Sequence, residues 1–366
     1  MDLSNSIMDF NIEDEYFDVE DDTSVLPDDV LVIIFKELSL EDIKVVKQVS
    51  KRFYGIVHRN YHKLNRRKVL SAKIEYDERC DNHPFLVHMN FYSENSSDYL
   101  FEEIKLFYEK STKIQSVDEL TGFLRMFDLR KLDLLILPVA DNLDLFGIME
   151  GVLEIGTKVN DLVIKKLAEN DFGSFRTFIE KLSRLEVLCI YHLCAPSTGQ
   201  KDVFSLLSLT SFNTIYCLMI FECNKTKILA SDFVVKFIRN SPSLMAIDIG
   251  SYNIEFLWSL SKEYFTMEQP RQMENECSHN KIHLNLIVYS EIERLYNNLT
   301  NDFGELECVV EEEMISFNLN RENIPLYIFG SKSDCSNCLK NRHRIKKYVA
   351  IYYFMKDKDD DEEWNH

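Results

Sequence analysis

The chain has 366 residues, 45% of them hydrophobic and 28% charged, enough chain and apolar material for about two globular domains. Its 42 basic and 61 acidic residues leave a formal charge of −19, a field that repels phosphate backbones and argues against a nucleic-acid role. No apolar run reaches the roughly 18 residues a membrane-spanning helix needs, and nine cysteines without regular spacing point to a reducing compartment, cytosolic or nuclear.

The first 35 residues hold neither Lys nor Arg, so no secretory n-region or basic transit peptide is read there. Acids crowd from Asp9 to Asp22 and again in DKDDDEE from Asp357. Residues 1–23 and 357–366 are therefore expected to be a disordered leader and tail, too charged and too poor in apolar residues to form a core.

Residues 24–68 carry the densest helical pattern. Pro27 suits the first turn of a helix, where its missing N–H costs nothing, and Asp28 and Asp29 lie at the positive end of the dipole. Leu31, Ile34, Phe35 and Leu38 follow at the spacing of one helix face. Val30, Val32 and Ile33 fill much of the remaining circumference. Ser39 with Asp42 signals a second helix, with Ile43, Val46 and Val49 inward and Lys44, Lys47 and Gln48 outward. Ser50 can cap a third, in which Phe53, Ile56 and Val57 share a face. Three short helices bury little surface alone, and a first helix apolar nearly all round wants contact on two sides. Nine Lys or Arg between Ile43 and Lys68, with no acid among them, read as a solvated face drawn to the acidic leader or to an acidic partner, ahead of a nuclear address or a phosphate contact.

Within LPDDVLVIIFKELSLEDIKVVKQVSKRFYGIV, Leu26 to Val57, several features occur in order. They are the Leu-Pro opening, the acidic-hydrophobic first helix, the Leu-x-x-Asp turn and the Val-Ser-Lys-Arg-aromatic third helix. The stretch resembles an F-box. The resemblance implies a module that docks on the Skp adaptor of cullin-RING ubiquitin ligases. On that basis Leu26, Pro27, Leu31, Ile34, Phe35, Leu38, Ile43, Val46, Val49, Ser50 and Phe53 would form the interface and its supporting core. Phe53 stands where the family often has Trp, which forfeits ~1 kcal/mol of buried area.

Beyond the basic run, VLSAKIEYDE and FLVHMNFYS read as strands, and Tyr99 to Tyr108 and Ser116 to Phe127 as helices, the latter with a Ser116/Glu119 capping box. An apolar-x-x-apolar-x-apolar pattern then recurs as Leu129-Leu132-Leu134, Val159-Leu162-Ile164, Leu185-Leu188-Ile190, Ile215-Leu218-Ile220 and Leu244-Ile247-Ile249, its central residues 30, 26, 30 and 29 apart. Helical stretches lie between, such as Phe233 to Ile238 with Ser231 as a cap. A further copy falls around Leu284-Ile287-Tyr289, after the polar insertion TMEQPRQMENECSH from Thr266. LECVVEEEMISFNL and HRIKKYVAIYYFMK read as closing strands. A short strand plus a helix at this period resembles a degenerate leucine-rich-repeat array; an ordinary α/β sheet domain would give the same alternation. The expected fold is α+β to α/β, a three-helix F-box followed by an irregular leucine-rich-repeat-like β/α solenoid over residues 69–356.

The sequence shows no phosphate loop, dinucleotide fingerprint, zinc-protease helix or nucleophile elbow, and ten glycines leave little for backbone phosphate cradles. Cys335-x-x-Cys338 with His343 is a single regular pair, and the second set, Cys277, His279 and His283, is irregular and lies in a polar insertion, so no metal site is assigned. The expected protein is a non-enzymatic adaptor without cofactor, nucleic-acid or membrane partner, which binds a Skp adaptor, through it a cullin, and a protein substrate. In a repeat array, strand alternation would place Val187, Cys189 and Tyr191, with Cys217, Met219 and Phe221, on an open face bordered by Lys131, Asp133, Asp161, Lys165 and Asp248. Val187, Tyr191, Met219 and Phe221 are the candidate substrate contacts. The competing expectation is that helices cover both faces of a parallel sheet and bury these residues.

Overall fold

The computed structural model describes residues 26–38, 40–60, 63–64, 66–80, 82–91, 108–139, 142–267, 271–273, 277–279, 282–303, 327–334 and 344–353. The expected leader and tail, the helix expected from Tyr99 as far as residue 107, the strand at 306–319, and Cys335, Cys338 and His343 lie outside them. The chain divides into two compact units, Met1–Arg66 and Arg67–His366.

The first unit holds α1 (Asp28–Lys36), α2 (Leu40–Val49) and α3 (Lys51–Asn60). Pro27 is the residue before the helix rather than within its first turn, and its carbonyl accepts the Val30 and Leu31 N–H groups at 3.0 and 3.2 Å. Ser39 lies outside the described residues. The Ser50 hydroxyl accepts the Phe53 N–H at 3.1 Å, the cap expected for α3. Leu31, Val32 and Phe35 meet Ile43, Ile56, Val57 and Leu64 in one small core. Phe53 packs against it, its ring edge-to-face with Phe35 at 5.3 Å, an arrangement worth ~1 kcal/mol beyond burial. The Arg52 guanidinium donates to the Asp28 carboxylate at 2.8 and 3.1 Å and to the Leu26 carbonyl at 2.6 Å. Arg59 donates to the same carboxylate at 3.1 Å, so the start of α1 is pinned to α3.

The second unit runs β1 (Arg67–Tyr76), β2 (Phe85–Phe91), β3 (Tyr108–Ile114), α4 (Val117–Arg125), the short β4 (Phe127–Asp128), β5 (Lys131–Leu137), α5 (Leu145–Val152), β6 (Thr157–Ile164), the short β7 (Leu167–Ala168) and α6 (Phe172–Glu180). It continues through β8 (Leu182–Arg184), β9 (Val187–Cys194), α7 (Val203–Leu206), β10 (Cys217–Glu222), α8 (Ser231–Asn240), β11 (Ala246–Ser251) and α9 (Ile254–Thr266). Last come the hairpin β12 (Arg271–Met273) and β13 (Cys277–His279), then β14 (His283–Val288), α10 (Ile292–Phe303), β15 (Tyr327–Asp334) and β16 (Arg344–Tyr353). One large sheet has the order β15-β16-β14-β11-β10-β9-β6-β5-β1-β2-β3. It is parallel from β1 to β16, with antiparallel pairing where β2, β3 and β15 join at the margins.

A single rung crosses the parallel strands: Leu135, Leu162, Leu188, Leu218, Ile247, Leu284 and Val349 pair in turn. The middle copies of the pattern fall as expected. The first is Leu132-Leu135-Leu137 rather than Leu129-Leu132-Leu134, and the last is centred on Leu284 rather than Ile287. The run LRKLDLLIL satisfies both frames; the paired frame fully buries Leu132, Leu135 and Leu137, while Leu134 is only half-buried. Every α-helix of the unit contributes buried apolar side chains to one core with this rung, among them Leu120, Phe146, Phe175, Phe204, Phe237, Leu257 and Leu295. The alternate strand positions form a separate cluster, Cys189, Cys217, Met219, Phe221, Ala246 and Ile287. No helical side chain joins that cluster among the described residues. The unit is thus a mixed α/β layer with its helices on one face of a mostly parallel sheet.

Two caps differ in detail from expectation. Ser116 accepts the Glu119 N–H at 3.2 Å, but the Glu119 carboxylate reaches the Gln115 N–H at 2.7 Å, one residue before the cap. Ser231 opens α8 without capping it; its hydroxyl instead meets Ser259 at 3.0 Å and the Glu263 carboxylate.

Candidate functional site

Each unit presents one apolar face. On the first unit α1 and the residue two before it carry two stripes. Leu31, Val32 and Phe35 enter the core, whereas Leu26, Val30, Ile33 and Ile34 are exposed, spaced by four, three and one residues along a second face. Val45 and Val49 of α2 and Tyr54 of α3 are exposed as well, Ile33 by 62% and Val49 by 60%. The Tyr54 ring stacks on His58 at 5.9 Å, with the Lys47 ammonium 5.3 Å from its centroid.

The residues expected at this interface divide by burial. Leu26, Pro27, Ile34 and Val49 are exposed. Leu31, Phe35 and Ile43 are core, and Leu38, Val46, Ser50 and Phe53 lie half-buried between the two. Val30, Ile33, Val45 and Tyr54 are exposed apolar residues outside the expected set. For Val30 and Ile33 the signal was the surplus of apolar residues around α1. Their neighbour Val32 went to the core, a choice set by the position of α3.

On the second unit, the sheet face opposite the helices holds Val187 and Tyr191 half-buried, and Met219 and Phe221 buried. Phe221 stacks flat on Tyr191, centroids 6.0 Å apart and planes at 10°. It lies over Gly250, where an added Cβ would come within 2.4 Å of the Phe221 ring and 2.7 Å of the Tyr289 hydroxyl. Tyr289 in turn stacks on Tyr252 at 4.5 Å. Only a residue without a side chain leaves room for both rings to close over the strand. Gly250→Ala should therefore cost about 1–3 kcal/mol through overpacking, with a lowered melting temperature and a weakened near-UV aromatic circular dichroism signal. An unchanged melt would remove this close packing.

The electrostatics of the face are those of a dry, acidic surface. Burial pushes the Asp248 carboxyl up to about 6, against the opposing effect of the Asn285 amide that donates to it at 2.7 Å. Burial also lifts the Cys189 thiol and the Tyr191 phenol to about 12, and drives Cys217 and Tyr289 upward. At neutral pH the two thiols and the two phenols stay protonated, so they supply shape and apolar surface rather than an activated nucleophile. The Lys165 ammonium sits 4.6 Å from the Tyr191 ring centroid. Asp161, at the border, is raised by burial and then by Glu186 and Asp133.

Among the described residues no group of three or more His, Cys, Asp or Glu is placed to hold a metal ion. No described helix is long and apolar enough to cross a membrane. No curated protein matches the chain. A family model described as F-box-like matches residues 23–67, which takes in α1, α2 and α3 and leaves all of the sheet unit but Arg67 outside it. The chain carries an N-terminal F-box.

Proposed function

We propose that this protein is the substrate-recognition subunit of a Skp–cullin–F-box ubiquitin ligase. The F-box holds it on a Skp adaptor and, through that adaptor, on a cullin. The domain at residues 69–356 binds the protein to be modified. F-box proteins are generally non-catalytic adaptors, and the mechanism here is proximity: tethering raises the effective concentration of substrate lysines at the ligase. The observation that carries the proposal is the exposed apolar stripe Leu26, Val30, Ile33 and Ile34, which lies within the residues matched as F-box-like. An exposed apolar stripe of this kind supports a docking role.

The substrate domain is taken as an irregular leucine-rich-repeat-like β/α solenoid. In support stand the rung from Leu135 to Leu284 and the confinement of helical side chains to one core. A cytosolic or nuclear site of action suits an adaptor of this kind and the cysteines Cys80, Cys189, Cys217 and Cys223, which form no disulfide.

Affinity capture with the full chain tests the assembly. Recovery of both adaptor and cullin is expected. Adaptor without cullin would favour an F-box-anchored scaffold with no degradation role, and loss of both would overturn the proposal. The substrate face has its own test in Tyr191→Asp. Because the ring is half-buried at the edge of its cluster, the variant should melt close to the parent while losing its captured substrate. Unfolding of this variant would sink the binding face. Phe221→Asp is no substitute, since at 5% exposure it strands a charge in the interior at a cost of several kcal/mol.

A further inference from the structure

The geometry points to a basic, extended protein segment as the occupant of the helix-free sheet face, with a Lys or Arg seated at Asp161 and Glu186 and an apolar side chain on Tyr191. This deepens the substrate-receptor proposal and rests on it.

Three observations define the occupant. The face carries no helical side chain among the described residues; its central residues are buried, and the half-buried Val187, Tyr191, Tyr216, Tyr289 and Tyr352 are the surface it offers a partner segment. Its border is acidic at one place. Asp161 pairs in register with Val187 across the β6–β9 ladder, and Glu186 precedes Val187 in the chain, which brings the two carboxylates to the margin of the cluster. The charged groups that act on Asp161 are Glu186 and Asp133, both acids that push its carboxyl upward. Arg184 pairs with Glu186 and an Asn160 amide donates to Asp133 at 3.2 Å, but no base offsets Asp161 among the described residues. An incoming cation relieves a half-buried carboxylate that lies near two others.

The same field extends across the face. Tyr216 is raised by Asp161 and Glu186 after burial, and Tyr352 by Asp248. Among the described residues Arg184 is paired with Glu186, and Lys165 acts on Cys189 and lies over Tyr191. A net charge of −19 steers basic partners toward the chain as a whole, and these carboxylates give them a place to stop.

Spacing supplies the second half of the argument. Val187 and Tyr191 lie four residues apart on one strand and on one side of it, about 13 Å at the usual rise. An extended segment with a basic residue and an apolar residue four positions apart spans the same distance. The half-buried Tyr191 ring, backed by the buried Phe221, is the aromatic surface against which such an apolar side chain packs.

The test uses short synthetic peptides that share one alternating Leu/Ser frame and differ only in carrying Lys, Gln or Glu at the same positions. Binding to the full chain is read by fluorescence anisotropy at low and at physiological salt. The Lys peptide should bind at least about tenfold more tightly than the other two, with an affinity that falls as salt rises. Asp161→Asn with Glu186→Gln should weaken it by roughly tenfold. Glu293→Gln with Asp232→Asn, the same charge change on α10 and α8, should weaken it less than about twofold. Equal binding of the Lys and Gln peptides, or an equal loss in the helix-side control, would overturn the assignment of a basic segment. If the Lys peptide shows no preference while Tyr191→Asp still removes substrate capture, the basic class falls and the receptor role stands. If Tyr191→Asp leaves substrate capture intact, the receptor face itself falls.

Discussion

Replacing Ile33 and Ile34 together by Asp should abolish binding of a Skp adaptor while leaving the protein folded. Both side chains are exposed in the free chain, Ile33 by 62% and Ile34 by 44%, so the new carboxylates stay in water and the effect on stability should lie within ~0.5 kcal/mol. A small further loss comes from acids near the C-terminal end of α1, where the helix dipole disfavours them by a few tenths of a kcal/mol. Docking changes the balance. Each carboxylate would then be buried against an apolar partner surface without a counter-charge, at a cost of several kcal/mol, and two such costs exceed the binding energy of an ordinary interface. The affinity should fall by more than about a thousandfold. Calorimetric titration with purified adaptor reads the loss, and far-UV circular dichroism with a thermal melt checks the fold. Val32→Asp is the informative contrast: at 6% exposure it faces the core and should unfold the helical unit. Adaptor binding retained by the Ile33/Ile34 double variant would remove the exposed stripe as the docking surface.

The three helices of the first unit were legible because their signals are local. Ser50 caps its helix through a bond to the next turn, and the core stripe Leu31, Phe35 and Ile43 follows from spacing alone. The side on which Val32 falls was not legible, since it depends on where α3 crosses. In the sheet, the alternation of Val187, Cys189 and Tyr191 against Leu188 and Ile190 was readable from period two, and the two clusters separate along it. Depth of burial was not. Phe221 is covered because Gly250 on the next strand has no side chain and the Tyr289 hydroxyl closes in from another, contacts between residues tens of positions apart. The frame of the first repeat was ambiguous for a different reason: LRKLDLLIL is apolar at too many positions, and only pairing with β6 selects Leu135 over Leu132. β3, with the sequence YEKSTKI, shows no apolar alternation strong enough to announce a strand. It pairs at the margin of the sheet with β2, where lysines serve to discourage further pairing.

Asp248→Asn should stabilise the protein at neutral pH and have almost no effect near pH 4. The carboxyl is 8% exposed, and burial raises it from an ordinary 3.8 to about 6. The folded state thus binds this proton more tightly than the unfolded chain does. The sign follows from linkage. As pH rises from the unfolded value near 4 toward 6, the unfolded carboxyl ionises first and gains solvation that the buried one lacks, so stability falls across that window. Above about 6 both states are ionised and the loss is complete; below about 4 both are protonated and it vanishes. A difference of roughly two pKa units corresponds to about 3 kcal/mol at neutral pH, as an order of magnitude. Asn is close in shape to the protonated acid and keeps a carbonyl oxygen to accept from the Asn285 amide, which donates to Asp248 at 2.7 Å. The variant should therefore behave at every pH as the parent behaves when protonated. Its melting temperature should exceed the parent's by roughly 5 °C or more at neutral pH, and the two should converge as pH drops through the window from 6 to 4. Other carboxylates titrate in the same range, but they titrate in both proteins, so the difference between the two melts isolates this group. A gap that stays constant with pH would show that Asp248 is not held as a buried, reluctant carboxylate. A variant less stable than the parent at neutral pH would show instead that the charge is met by a partner stronger than the amide of Asn285.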